Sequence, residues 1–163
     1  MSIIDDLKKT MLASDLDDND VRILAEITNV QEFFKDAVIF KEDDKQECLY
    51  ILVEGKIAIE RRSLSGRHIG RAVIQNVRHG QIIGEMGFVE RRNSSATATA
   101  KSHVRLAILK FAELDLLIQQ NPRLGTKLLR TIAEILSSRL RRMNEQWLRS
   151  SMDDNKLQEF EYF

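Results

Sequence analysis

Hydrophobic positions change their period twice along the chain, and the changes mark out three stretches. From residue 3 to residue 29 apolar side chains recur at helical spacing: Ile3, Ile4, Leu7, Met11 and Leu12, then Leu16, Val21, Leu24 and Ile27. The polar run Asp17 to Asp20 separates two short helices and offers N-cap and acidic first-turn chemistry to the second. Its carboxylates are expected to form a solvated face; the alternative is a meeting with the basic carboxy-terminal helix. From Val30 to Lys110 the pattern becomes strand-like. Val38-Ile39-Phe40 is a short apolar run closed by KEDDK, residues 49–53 (LYILV) read as a buried strand, and residues 56–60 (KIAIE) alternate. Glu54-Gly55 between the last two predicts a hairpin, because glycine tolerates positive φ. SLSG at residues 63–66 and Arg78-His79-Gly80 mark further reversals around a strand holding Val73, Ile74 and Val77. Ile57 and Ile74 are expected on an inner face, and Val104, Leu106 and Ile108 in the last strand. Short strands with turns roughly every eight to twelve residues predict a sandwich or barrel, not βαβ units.

The last third is helical again. Residues 112–120 carry Leu114, Leu117 and Ile118, and Asn121-Pro122 interrupts them. Proline suits the first turn of a new helix. Along that helix the apolar stripe runs through Leu124, Leu128, Ile132, Leu136, Leu140, Met143 and Trp147, widened by Leu129 and Ile135. Ser137, Ser138 and the cluster Arg139, Arg141 and Arg142 interrupt any long coiled-coil seam. From Ser150 the text turns polar and acidic with aromatic ends, which predicts a frayed helix or loose tail, with a docking peptide as the alternative.

Composition narrows the function classes. The 163 residues are 43% hydrophobic and 31% charged with zero formal net charge, so no global field points to nucleic acid or an anionic membrane. A single cysteine, Cys48, permits no intrachain disulfide and fits a reducing cytoplasm. It sits where a strand starts, and packing is the expected role. No apolar run is long enough to span a bilayer, and the first nine residues do not read as a secretory signal. His68, His79 and His103 are scattered without an H-x-H step, which argues against a cupin-type metal centre. No nucleophile elbow, zinc-protease helix or P-loop lysine occurs, so no catalytic constellation is present.

Chemistry concentrates instead between Gly80 and Lys101. An apolar pair, Ile82-Ile83, meets Gly84 and Glu85, then a one-turn helix and an alternating small-residue strand. Strand, glycine, helix and strand in that order bring several N–H groups to one point, a way of holding phosphate without a deep cleft. Gly84 supplies the unhindered bend, and Glu85 a carboxylate suited to a ribose hydroxyl. GEMGFVERRNSSATATAK resembles the phosphate-binding cassette of cyclic nucleotide-binding domains, the regulatory barrels of the catabolite activator protein, protein kinase A regulatory subunits and gated channels. IFKEDDKQECLYILVEGKIAI resembles the opening of that barrel, with Asp43 where the family usually has glycine. The resemblance covers roughly residues 5 to 142.

The resemblance implies a mainly β fold with flanking α: a jelly-roll (double-stranded β-helix) barrel with N-terminal helices and a long C-terminal helix. Residues 1–142 form the domain, with helices over 3–29, barrel over 30–110 and helices over 112–142. Residues 143–163 are a helix extension and polar tail. It also implies a non-enzymatic module that binds cAMP or cGMP between cassette and C-terminal helix and signals by moving that helix. In the family the Glu of the Gly-Glu pair binds the ribose and a following Arg pairs with the cyclic phosphate. Counted without a gap, that Arg falls on Ser94, preceded by Arg91 and Arg92 and followed by Ser95 in the small-residue place. A charge-assisted hydrogen bond contributes about 1.5–3 kcal/mol, so its loss lowers affinity roughly tenfold to a hundredfold. The ligand-binding residues the resemblance implies are Gly84, Glu85, Met86, Ile74, Arg92, Ser94, Ser95 and Arg139, the last where the family caps the base. Glu85 as an acceptor for cassette amides, and Arg139 as a surface or dimer-interface residue, remain open alternatives. So does a degenerate domain that binds no nucleotide and serves as a dimerising interaction module. A homodimer through the C-terminal helix and an unidentified downstream protein are the expected partners, with no membrane. The helix-turn-helix that activator-type regulators carry after that helix is not expected in this chain.

Overall fold

The computed structural model describes residues 2–65 and 68–153. Ser2 and Asp17 each close a capping box, the first opening α1 (Ile3–Lys8) and the second α2 (Asp18–Glu26), with a 3₁₀ turn at Met11–Ala13 between them. Eight strands follow: β1 (Thr28–Phe33), β2 (Val38–Phe40), β3 (Cys48–Glu54), β4 (Ile57–Ser65), β5 (His68–Val77), β6 (Ile82–Ile83), β7 (Thr97–Ala100) and β8 (Val104–Lys110), with α3 (Glu85–Glu90) between β6 and β7. Then come α4 (Phe111–Gln120) and α5 (Pro122–Asp153). The strands make two antiparallel four-stranded sheets in the orders β1-β8-β3-β6 and β2-β7-β4-β5, the pairing of a jelly roll.

Alternation on the first sheet builds two cores at once. Leu49, Ile51, Val53, Ile82, Ala107 and Leu109 face the helices and pack with Leu7, Leu12, Leu24, Leu114, Leu124 and Ile132. The intervening residues Leu52, Ile83, Val104, Leu106 and Ile108 face into the barrel, where they meet Ile57, Ile59, Val77, Ala96, Ala98 and Ala100 of the second sheet. Shifting a strand here by one residue would exchange the two cores. The helices are thereby fixed to the sheet that carries β6 and leads into α3.

Several expectations need correction. The first strand begins at Thr28, two residues earlier than the apolar pattern implied. Glu54-Gly55 does not close a hairpin: β3 and β4 lie in different sheets, and the turn carries the chain between them. Gly55 takes φ of 98°, and a Cβ there would come within 2.2 Å of the His103 carbonyl oxygen. The hairpin lies instead between β4 and β5, whose ladder runs to Ser65 and His68; the rest of the SLSG reversal falls outside the described residues. The acidic run is not merely solvated. Asp17 accepts from Arg123 at 3.2 Å and Asp20, 2% exposed, pairs with Lys127 at 2.5 Å, pinning α2 to the start of α5. The Asp20 amide N–H, with Lys127 and Arg123 beside it, holds the Asp17 carboxyl below its usual value. The α5 helix runs through Ser150 to Asp153; the rest of the polar tail, residues 154–163, lies outside the described residues.

Inside the barrel Tyr50 packs against Phe40, ring centroids 5.5 Å apart. Burial pushes its phenol up to about 12, the neighbouring Cys48 adding to the shift. An unfolded tyrosine ionises near pH 10. Between about 10 and about 12 the folded chain therefore holds a proton the unfolded chain has lost, and stability falls as pH rises through that window. An absorbance titration should show a late phenol that disappears in Tyr50→Phe, and the variant should lose less stability above pH 10. Ionisation of all phenols near pH 10 in the folded protein would contradict the buried placement.

Candidate functional site

The cassette begins where β6 ends. Gly84 takes φ of 86°, the left-handed region, and a Cβ there would come within 2.8 Å of the Cys48 carbonyl oxygen. That bend turns the chain straight into α3 and places Glu85 at its first position. Early helical N–H groups have no partner within their own helix. The amide of Phe88, the fourth residue of α3, donates to the Gly84 carbonyl at 3.2 Å, so the amides of Glu85, Met86 and Gly87 before it are the first-turn donors without a partner in the helix. Gln46 lies along this turn: its Nε2 donates to the Cys48 carbonyl at 2.9 Å, and its side chain covers Gly84 and Gly87. The helix ends on Arg91, which takes φ of 57°.

Glu85 is 3% exposed, and its partner comes from α5. Arg139 Nη1 donates to Glu85 Oε1, and Nη2 donates to the Ile82 carbonyl at 2.5 Å. Only 19% of the Arg139 side chain is exposed. The guanidinium thus grips both the strand before the bend and the carboxylate after it. Arg139 is therefore not a surface residue, and Glu85 is held by a distant helix. In sequence Arg139 keeps the phase of the apolar stripe, three residues beyond Leu136 and four beyond Ile135, whereas Arg141 falls on the opposite face.

The place of the family's arginine is also accounted for. Ser94 is 7% exposed; its Oγ donates to the Ala96 carbonyl at 2.9 Å. Its amide N–H donates to the Asp44 carbonyl at 2.8 Å, and its carbonyl accepts from the Asp43 amide at 2.8 Å. Asp43 takes φ of 71°, the conformation a glycine would adopt there freely. Ser95 is exposed, its Oγ 3.9 Å from Met86 Sδ. Arg91 turns away from the bend to Asp115 of α4 at 2.5 Å, its guanidinium 4.7 Å above the Phe88 ring. Arg92 is exposed on the outer surface, in an open cleft of about 710 Å³ that also contains Lys45, Lys110 and Phe111.

Ile57 is buried in the barrel, but Ile74 is not: a register shift between Ile59 and Glu60 pairs Gln75 with Ile59 and Val73 with Glu60, leaving Ile74 in a bulge, 57% exposed. Gln75 takes the inward position instead. Its signal in sequence is a polar residue in the apolar phase of β5, between Val73 and Val77. The other polar groups serve the frame. His79 Nδ1 lies 2.6 Å from the Val53 carbonyl and His103 Nε2 3.2 Å from Glu32; the side chain of His68 is outside the described residues. Burial raises the Cys48 thiol above its usual value, and no metal-ligating cluster occurs among the described residues.

A sequence profile described as cyclic nucleotide-binding domain matches residues 30–121. The chain belongs to the cyclic nucleotide-binding domain family. The cAMP-activated global transcriptional regulator CRP of Salmonella typhimurium is 26% identical over 95 residues, 58% of this chain and 44% of the regulator. The chain spans less than half the length of that relative. A crystal structure of a cyclic nucleotide-binding domain from Methylobacillus flagellatus superposes with a TM-score of 0.79 at 25% identity, covering 91% of this chain and 82% of the other. The regulatory subunit of a cAMP-independent protein kinase A from Trypanosoma brucei, in a triple-substituted form bound to cAMP, superposes with a TM-score of 0.71 at 22% identity, covering 93% and 50%.

The cyclic nucleotide-binding domain therefore keeps the cassette's bend and glutamate, with the carboxylate paired to α5. Removing Arg139 alone would leave a buried carboxylate uncompensated, a change that costs about 3–5 kcal/mol. In urea denaturation Arg139→Ala should lose stability on that scale, and the double variant with Glu85→Gln should recover much of it. Equal losses in single and double variants would mean that the two side chains do not depend on each other.

Proposed function

We propose that this chain is a non-enzymatic regulatory domain in which a ligand and Arg139 compete for Glu85, and in which the resting place of α5 is the output. The Arg139–Glu85 contact carries the proposal: the carboxylate suited to a ribose hydroxyl is held by the helix that would transmit the signal. A ligand with a free ribose hydroxyl, the 2′-hydroxyl of cAMP or cGMP in the resemblance, would donate to Glu85 and release the guanidinium. The anion side is weaker. With the Ser94 hydroxyl and amide both engaged internally, a cyclic phosphate would meet only the amides at the start of α3. The Trypanosoma brucei subunit offers a parallel: it is described as cAMP-independent, and the form solved with cAMP carries three substitutions, one of which introduces an arginine.

Those same Ser94 hydrogen bonds favour a second reading, a degenerate domain that binds no nucleotide and acts as a dimerising interaction module. Titration calorimetry with cAMP and cGMP on the parent and on Ser94→Arg separates the two. Weak heat for the parent and a gain of roughly tenfold to a hundredfold in the variant supports a ligand-competed site. Heat for the variant alone supports the degenerate reading, and no gain would reject the arginine's absence as the reason for weak binding.

A homodimer through α5 belongs to the proposal. Beyond Ile135 the helix leaves the core, and Leu140, Met143 and Trp147 are 58%, 63% and 56% exposed. With Leu136 they step by four, three and four residues, the spacing of a two-helix seam. The flanking positions Ser137, Asn144 and Gln146 are uncharged and the fourth, Arg139, is paired with Glu85 in its own chain, so two parallel copies meet there without like-charge repulsion. No helix among the described residues is long and apolar enough to cross a membrane. Sedimentation equilibrium should give twice the chain mass, falling to the monomer in Leu140→Asp; a monomeric parent at tens of micromolar would reject the dimer.

A further inference from the structure

A cleft of about 710 Å³ opens where three parts of the chain meet: residues 45–48 at the start of β3, residues 91–93 after α3, and residues 110–115 at the start of α4. Glu85 is not among its lining residues. Six charged side chains line it, Lys45, Arg91, Arg92 and Lys110 against Glu47 and Asp115. Four of them cancel, since Lys45 pairs with Glu47 at 2.6 Å and Arg91 with Asp115 at 2.5 Å. Arg92 and Lys110 are exposed and have no ion-pair partner among the described residues. Two cations are therefore left over in a chain whose formal net charge is zero. Apolar surface accompanies them. Phe111 and Ala112 line the cleft, and Leu116, one turn beyond Ala112 on the same side of α4, is 53% exposed.

An occupant suited to this cleft brings two carboxylates and large apolar side chains close together. Residues 154–163 of the same chain, DNKLQEFEYF, have that chemistry: Glu159 and Glu161 are interleaved with Phe160, Tyr162 and Phe163. The acids Asp154, Glu159 and Glu161 against Lys156 leave the segment at −2, opposite in sign to Arg92 and Lys110. Its length is sufficient as well. Arg139 grips Glu85 from the middle of α5, and Asp153 stands about 21 Å further along that helix at about 1.5 Å per residue. Arg91 closes the short helix that Glu85 opens, about 9 Å away. An extended segment of this size spans up to about 33 Å, enough to return from the end of α5 to the cleft. We propose that residues 154–163 dock in this cleft, with Glu159 and Glu161 pairing with Arg92 and Lys110 and the aromatic side chains covering Phe111 and Ala112. The docked segment ties the end of α5 to the exit of the cassette, a link separate from the Arg139–Glu85 contact.

Cys48, the chain's single cysteine, lines the cleft and reports on its cover. Alkylation of the full chain by iodoacetamide is followed in three forms: the parent, the tail reversal Glu159→Lys with Glu161→Lys, and that reversal combined with Arg92→Glu and Lys110→Glu. Rates are compared as pH-independent thiolate constants, because Lys110 also acts on the acidity of the thiol. The tail reversal is expected to react about tenfold faster than the parent, the scale of two exposed ion pairs lost. The combined form, with its charges exchanged across the contact, should return to the slow rate. Raising salt from about 50 mM to about 500 mM should accelerate the parent and leave the tail reversal unchanged, since exposed ion pairs are screened. Equal rates in the parent and the tail reversal, or a parent indifferent to salt, would overturn the docking; a combined form that stays fast would overturn the assigned pairing. The tail reversal alters no residue of the barrel or of the helices packed on it, so its result stands even if the combined form folds poorly.

Discussion

A buried charge pair joins the two halves of this molecule. Glu85 opens a six-residue helix at the end of a two-residue strand, and Arg139 lies 54 positions further on, in the middle of α5. Neither charge is solvated as it would be in water, so each makes the other tolerable in the interior. The second arm of the guanidinium, on the Ile82 carbonyl, fixes its orientation as well as its distance. A fork with planar donors can hold a carboxylate and a carbonyl together, which a lysine ammonium would do without the same directionality. Any group that displaces Arg139 must offer Glu85 hydrogen bonds of comparable quality.

The sheet β1-β8-β3-β6 makes that contact matter beyond its immediate surroundings. One of its faces lines the barrel and the other carries the helices. Packed side chains therefore connect the cassette to α4 and α5 without a flexible linker between them. At its start α5 is pinned by Lys127 to Asp20 and by Leu124, Leu128 and Ile132 to the helical core. Past Leu136 no core residue holds it among the described residues, and Arg139 ties it to the cassette. A helix rigid at one end and tethered by a single ion pair further out can swing when the tether is exchanged.

Residue types and their spacing carried most of the fold. Period-two alternation in KIAIE and VRLAILK, the proline opening α5 and the Gly-Glu bend all correspond to elements found in place. What spacing misjudged was phase and partnership. Ile74 was expected inside because it is apolar, yet alternation from the buried Val77 puts Gln75 on the inner face, and the bulge beyond it leaves Ile74 outside. Glu54-Gly55 had the composition of a hairpin turn but connects different sheets, since a glycine records the local φ and not the destination of the strand after it.

Local chemistry, read along the chain, was enough to establish the barrel class, the position of the cassette and the substitution of serine at position 94, because turn residues, caps and alternation act over a few residues. The partners of the charged side chains were decided only in three dimensions. Arg139 keeps the phase of the apolar stripe in sequence, but its distance from Glu85 exists only once two cores have set where α5 crosses the cassette. Pairing of ions depends on that crossing, a long-range consequence of packing, and no residue near Glu85 announces it.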